Sequence, residues 1–286
     1  MADRVGYIGL GAMGAPMVEN MLAGGLEVVV FDKAGTAGRA PDGATIAARL
    51  QDVASRCETI FVCVPDGAAS LTVAEDIISA KDRQVRVLVN LSTTGIDAAG
   101  KIAALVDDAG IAFADAPVSG GRAGAVKGTI TIMWSGPEAL LDDLRPALET
   151  FTGNAFFVGS RPGQGQAMKL LNNYLSAMAM AATSEAMAFG EAQGLDMKTM
   201  LDVVNVSTGR NTATSDKFVN RVMPGTFDAG FRMALMEKDV SLYMEAVRAA
   251  GSPDKLGNVL AQYWRDGVGA FPDGDFTEIF KLVKGD

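Results

Sequence analysis

The chain contains no histidine. That removes both the commonest general base and the commonest metal ligand. Any proton chemistry then falls to Lys, Tyr, Cys, Asp or Glu. Cysteine is scarce too: Cys57 and Cys63 are the two present, and they form neither a disulfide framework nor a metal-ligand spacing. No metal site is expected. Cys63, within Ile60-Phe-Val-Cys-Val64, reads as a buried apolar thiol. There is no run of basic residues. Twenty-five Lys and Arg stand against 34 Asp and Glu, a net charge of −9, so nucleic acid and anionic membranes are poor partners. The longest apolar tract, from about Ala177 to Phe189, is broken by Glu185 and does not read as a membrane span. The first strand opens at Arg4, which leaves no room for a signal peptide, and a soluble cytoplasmic protein is expected.

What is present suits a large core. The 286 residues are 49% apolar, enough for one large domain or two ordinary ones. Arg4-Val-Gly-Tyr-Ile8 is a short apolar strand. It runs into Gly9, Leu10, Gly11, Ala12, Met13 and Gly14, then into helical spacing over Ala15 to Ala23. A second strand, Leu26 to Phe31, ends in Asp32. Strand, Gly-x-Gly-x-x-Gly, helix, strand and acid together form a dinucleotide-binding fingerprint. Gly9 permits the tight turn, Gly11 the approach of backbone to a pyrophosphate, and Gly14 the close packing of helix on strand. Asp32 is placed to accept from the adenosine ribose hydroxyls. A 2′-phosphate there meets a like charge, which favours NAD, while Lys33 and Arg39 keep NADP open.

The alternation continues with strands over 58–64, 85–91 and 111–115 and helices over 68–79 and 96–109, which predicts a parallel doubly wound α/β sheet. Ligands of such sheets lie beyond the carboxyl ends of the strands, which puts Val64-Pro65 and Ser92-Thr93 beside the cofactor. Ser119-Gly120-Gly121 follows the last of these strands. Two glycines after a serine let backbone N–H groups converge on an anion. A plain turn before the next strand, Thr129 to Met133, is the alternative.

From Gln164 to Gln193 an uninterrupted run rich in Ala, Met and Leu predicts one helix of roughly 45 Å. It is apolar on nearly every face, so it should be buried all round or lie at a dimer interface. Lys169 and Asn173 stand on it four residues apart, on one face. Burial of an amine disfavours its charged form and brings proton exchange toward neutral pH; a snorkelling lysine is the alternative. More helices are expected near 197–206, 214–222, 234–249, 256–266 and 276–283. The loop at Arg210 and Asn211 offers groups for a substrate carboxylate or, alternatively, is a solvated loop. Glu237-Lys238-Asp239 reads by default as surface charge.

Four stretches taken together resemble the β-hydroxyacid dehydrogenase family: Gly9-Leu-Gly-Ala-Met-Gly-Ala-Pro-Met17, Asp115-Ala-Pro-Val-Ser-Gly-Gly121, Gly163-Gln-Gly-Gln-Ala-Met-Lys-Leu-Leu-Asn-Asn173 and Lys238-Asp239. Trp134-Ser135-Gly136 departs from the pattern, which has small residues and Gly-Gly there. The resemblance implies a Rossmann NAD(P)-binding domain over 1–162 and an all-α substrate and dimerisation domain over 163–286, joined by a long interdomain helix. It implies Lys169 as the catalytic acid/base. Ser119, Gly120 and Gly121 would hold a substrate carboxylate, and Asn173 the hydroxyl or carboxylate region. Val64, Pro65, Ala69, Thr93, Phe231, Lys238 and Asp239 would contact the cofactor. The activity implied is NAD-dependent interconversion of a short β-hydroxyacid, such as 3-hydroxyisobutyrate, and its semialdehyde, in a homodimer or homotetramer. An NADPH-dependent semialdehyde reductase, an imine or 6-phosphogluconate-type reductase and a non-catalytic dinucleotide-binding module are the alternatives.

Overall fold

The computed structural model describes residues 4–285. Residues 1–3, on which the reading of an absent leader rests in part, lie outside the described residues, as does residue 286. The chain forms two compact units, with the division between Lys169 and Leu170.

The first unit is a mixed sheet with helices on both faces. In chain order it contains β1 (Arg4–Ile8), α1 (Gly14–Ala23), β2 (Glu27–Phe31), β3 (Thr45–Ile46), α2 (Leu50–Ala54) and β4 (Thr59–Val62). Then come α3 (Gly67–Ser79), β5 (Val87–Asn90), α4 (Ile96–Asp107), β6 (Ala112–Asp115), β7 (Val118–Ser119), α5 (Gly121–Lys127), β8 (Ile130–Ser135), α6 (Glu138–Leu148) and β9 (Thr152–Gly159). Strands β3-β2-β1-β4-β5-β6 are parallel, as the alternation predicts. Beyond β6 the parallel order stops. β8 runs antiparallel to β6 and β7, and β9 lies parallel to β8. A parallel return needs a crossover of a dozen or more residues, and α5 has seven.

The parallel strands alternate their faces. On β4, Phe61 packs with Tyr7, Trp134 and Phe151 on one side, while Ile60 and Val62 pack with Ile77, Leu88 and Ile102 on the other. Both faces are covered, which is why these strands read as continuous apolar runs. Register aligns Phe31, Ile8, Val62, Asn90 and Asp115 in one row across five strands. The segments that leave these positions therefore emerge along one edge of the sheet. The order also reverses at β1, flanked by β2 and β4, which is where doubly wound folds bind ligands.

Helix α7 (Gln164–Ala192) starts in this unit. Its first turn is capped from the sheet. Asp115, fully buried at the end of β6, accepts from the backbone N–H groups of Gly163 (3.2 Å) and Gln166 (3.1 Å). Ser135 on β8 donates to the same carboxylate and accepts from Gly165 N–H at 2.9 Å. These bonds satisfy donors that a helix start otherwise leaves open.

The second unit holds the rest of α7, then α8 (Met197–Asn205), a π-helix (Ala213–Val222), α9 (Met233–Ala249), α10 (Lys255–Ala270), a 3₁₀ turn (Phe276–Glu278) and α11 (Ile279–Lys284). Its core gathers Phe218, Met233, Trp264 and Ile279, all fully buried. The long helix is not buried all round: Leu171, Leu175 and Phe189 are 46%, 58% and 67% exposed. No helix of the described residues is long and apolar enough to cross a membrane.

Burial pushes Asp115 up to about 6, against the opposing pull of its bonds from Gln166, Ser135 and Gly163. The native chain therefore keeps a proton there that the unfolded chain has lost between the unfolded value of 3.8 and about pH 6. This group's contribution to stability falls as pH rises through that window, by about 3 kcal/mol in all. Denaturant titrations across the window should show Asp115→Asn gaining on the parent as pH rises. A pH-independent difference would show that Asp115 does not titrate there.

Candidate active site

The glycine turn follows β1. Gly9 has φ +99°, and an added Cβ would stand 2.1 Å from the Cys63 carbonyl oxygen. A Cβ on Gly14 would stand 1.9 Å from the Gly9 oxygen. The fold itself demands these two glycines. Gly11 differs: a Cβ there meets no protein atom within 4 Å, and its φ is not left-handed. Nothing among the described residues requires glycine at Gly11, and the space beside it is open to a group approaching from outside. Ala12 beside it is exposed and Met13 half-buried. The first turn of α1 has no side-chain cap, which leaves its partial positive charge for an anion.

Asp32, just past β2, accepts from Leu10 N–H at 2.7 Å and Ala34 N–H at 2.8 Å. Its carboxylate is thus anchored on the glycine turn. Arg39 Nε stands 3.9 Å away and is largely solvated, whereas Lys33 is exposed. Val64, after β4, donates its N–H to Ser92 Oγ at 2.9 Å, tying that loop to the one that carries Thr93. Thr93 and Ala69 are half-buried and Pro65 exposed. Gly11, Asp32, Val64 and Thr93 all follow strand ends of the aligned row. This arrangement fits a dinucleotide: an open glycine, an uncapped helix start and an acid at the second strand.

Ser119 ends β7. Gly120 and Gly121 follow with φ of +127° and +60°, both exposed. The plain turn considered for this stretch is not what forms; the glycines open α5.

Lys169 is 8% exposed and is the only buried lysine among the described residues. Asn173, one helical turn later, is 6% exposed. Its amide donates to Asp239 Oδ2 and accepts from Asn172. Asp239 is 2% exposed, and Lys238 Nζ lies 2.9 Å from its other oxygen. The default reading of Glu237-Lys238-Asp239 as surface charge therefore fails at Asp239. Phe231 packs edge-on against Phe276, with its N–H held by Asp275.

Arg210 is exposed. Asn211 caps the π-helix: its Oδ1 accepts from Ala213 N–H (2.8 Å) and Thr214 N–H (3.1 Å), and its amide donates to Thr183. The side chain is taken up in holding its own loop.

Asp115, drawn up to about 6, is engaged in capping α7, and the thiols and most of the phenols are moved away from neutrality. Burial pushes the Cys57 and Cys63 thiols up to about 11. The buried thiol expected at Cys63 is only half-buried, because β4 ends one residue earlier, whereas Cys57 is buried. Burial also raises Tyr7 and Tyr174 and takes Tyr263 to about 12. No group of three or more Cys, Asp and Glu suited to a metal occurs among the described residues.

Residues 4–159 match the model for the NAD binding domain of 6-phosphogluconate dehydrogenase. Residues 163–283 match the one described as NAD-binding of NADP-dependent 3-hydroxyisobutyrate dehydrogenase. The chain belongs to the β-hydroxyacid dehydrogenase family. It is an NAD(P)-dependent oxidoreductase acting on a CH–OH group. The 2-(hydroxymethyl)glutarate dehydrogenase of Eubacterium barkeri is 35% identical over 269 residues, covering 92% of this chain and 89% of that protein. The NAD-dependent L-serine dehydrogenase of Pseudomonas aeruginosa is 33% identical, covering 98% and 97%. Among solved structures, a Mycobacterium tuberculosis 3-hydroxyisobutyrate dehydrogenase with L-serine has a TM-score of 0.90 at 30% identity, covering 99% of this chain and 100% of that one. NAD is the cofactor that these relatives support, and NADP is compatible.

Sequence reading gave no role to Asp115, Ser135 or Gln166, although Asp115 and Gln166 sit inside the matching motifs. Their signal was a charged and an amide side chain in otherwise apolar or glycine-rich company. Ser135 sits in the stretch that departs from the family pattern, and its hydroxyl joins the cap of α7.

The glycine contrast yields a prediction. Gly11→Ala should melt within about a degree or two of the parent yet bind NAD at least about tenfold more weakly, since no internal contact changes. Gly14→Ala should be strongly destabilised. Calorimetric melting with NAD titration checks both; unchanged NAD affinity in Gly11→Ala would remove the turn from the cofactor site.

Proposed function

We propose that this dehydrogenase oxidises the primary alcohol of a short β-hydroxyacid of the 3-hydroxyisobutyrate type to its semialdehyde, with NAD as acceptor and Lys169 as acid and base. The observation that carries the reading is the buried amine of Lys169, in a chain with no histidine whose thiols and most of whose tyrosines are displaced from neutral pH. The alcohols named for the relatives support the substrate class. 2-(Hydroxymethyl)glutarate, L-serine and 3-hydroxyisobutyrate share a hydroxymethyl group on the carbon that bears a carboxylate.

When bound, the nicotinamide supplies the hydride acceptor, or the hydride in the reverse direction. The chain's residues do the rest. Lys169 Nζ takes the hydroxyl proton during oxidation and returns it during reduction. Ser119 and the N–H groups of Gly120 and Gly121 hold the substrate carboxylate. Asn173, fixed by Asp239, orients the substrate, and Arg210 is a second carboxylate partner. Asn211 sets the Arg210 loop. Gly9 to Gly14, Asp32, Val64, Pro65, Ala69, Thr93, Phe231, Lys238 and Asp239 hold the cofactor. Residues 1–162 serve as the cofactor domain and 163–286 as the substrate and dimerisation domain. The exposed apolar residues of α7 suit a homodimer or homotetramer, which light scattering on the purified protein decides; a monomer at micromolar concentration would reject it.

Lys169→Ala should bind NAD within about twofold of the parent and lose kcat by about 10²-fold or more. A panel of 3-hydroxyisobutyrate, L-serine and 2-(hydroxymethyl)glutarate, followed by reduced-cofactor absorbance, reads the loss and ranks the substrates. Parent-like turnover in the variant removes Lys169 from the chemistry.

A further inference from the structure

Gln166 has no solvent exposure, and its side-chain amide uses every hydrogen-bonding position it has. Oε1 accepts from Thr94 N–H at 2.8 Å and Gly95 N–H at 3.1 Å. Nε2 donates to the Ser92 carbonyl at 3.0 Å and to Asp115 Oδ1. The amide cannot be turned over: oxygen must face the two N–H groups, and nitrogen must face the carbonyl and the carboxylate. Its own backbone N–H donates to the other oxygen of Asp115, so one residue bonds both carboxylate oxygens. Three segments meet at this point. The first is 92–95, which carries Thr93 and ties back to Val64 through Ser92 Oγ. The second is the end of β6, four residues before Ser119. The third is the first turn of α7, with Lys169 three residues beyond Gln166.

A buried carboxylate is a costly way to cap a helix, and the groups that meet Asp115 here are neutral N–H and O–H donors. A merely stable join at this place could be apolar. A carboxylate and amide locked donor to acceptor instead fix direction and register. We infer that Gln166 and Asp115 are positioning residues: they lock the first turn of α7 to the Thr93 segment and so hold the Lys169 amine at a fixed place relative to the cofactor-binding loops. Neither touches substrate. The inference rests on Lys169 being the acid/base.

Gln166→Glu tests it with a readout that plain destabilisation does not give. The substitution keeps shape but puts an oxygen where Nε2 faced the Ser92 carbonyl and Asp115. The titratable group bonded to the side chain at position 166 is Asp115 from β6, and the next along α7 is Lys169, three residues on. One proton shared by the two carboxyls restores the bond between positions 166 and 115, though not the one to the Ser92 carbonyl, so the lock is open at high pH and largely closed at low pH. At about pH 9, kcat should fall by about 10- to 100-fold with the Kd for NAD within about twofold. Its ratio to the parent should recover several-fold toward about pH 6. Gln166→Met, which has no proton to gain, should be low at every pH. Parent-like kcat in Gln166→Glu at about pH 9, or a loss confined to NAD affinity, overturns the inference. So does a loss with no pH dependence. Should Gln166→Glu not fold, Ser135→Ala, which removes one donor from the same carboxylate, decides: lower kcat at unchanged NAD affinity supports the lock, and parent-like kcat rejects it. Lys169→Ala run alongside separates the two levels. If it is inactive while Gln166→Glu is parent-like, only the positioning role fails; if it is active, the acid/base assignment fails as well.

Discussion

One carboxylate with no solvent around it anchors the start of the longest helix. Asp115 gathers N–H groups from Gly163 and Gln166, the Ser135 hydroxyl and the Gln166 amide. A helix N-terminus carries partial positive charge, which offsets part of the cost of holding an anion out of water. The price of burial is visible in the rise of Asp115 to about 6, which shows that desolvation outweighs the bonds it receives. Lys169, three residues beyond Gln166, inherits its position from this joint.

The site's chemistry follows from scarcity. Without histidine, a proton carrier active near neutral pH has to be made from a group whose ordinary pKa lies elsewhere. Burial moves the Cys57 and Cys63 thiols and the Tyr7, Tyr174 and Tyr263 phenols upward, away from neutrality. The carrier proposed here is Lys169, which is buried; in the second unit Asn173 is bonded to buried Asp239.

Much of this was legible in the residues. The glycine turn, Asp32 and the parallel strands announced themselves because their constraints are local: a positive φ, a close approach, a short continuous apolar run. The Gln164–Ala192 helix was plain from a proline-free run dominated by Ala, Met and Leu. What did not show were features whose cause is distant in sequence. α5 is a glycine- and alanine-rich segment with no apolar stripe, stabilised in part by Asn20 of α1 reaching the Ala125 carbonyl at 2.7 Å. The reversal of strand direction after β6 depends on the shortness of that same helix. Asp239 looked like surface charge because nothing near it in sequence reveals Asn173, 66 positions away. Asn211 looked available because its turn bonds are a matter of three-dimensional closure.

The claim on which the account turns is that a primary amine at position 169 exchanges the proton of the substrate hydroxyl. Chemical rescue tests it most directly. Single-turnover oxidation by Lys169→Ala, with NAD and 3-hydroxyisobutyrate, should be slow and should quicken in proportion to added methylamine or ethylamine. The gain should follow the free-base fraction and level off for bulky amines that do not fit the space left by the side chain. A rate indifferent to every amine, or one already equal to that of the parent without any, would contradict it.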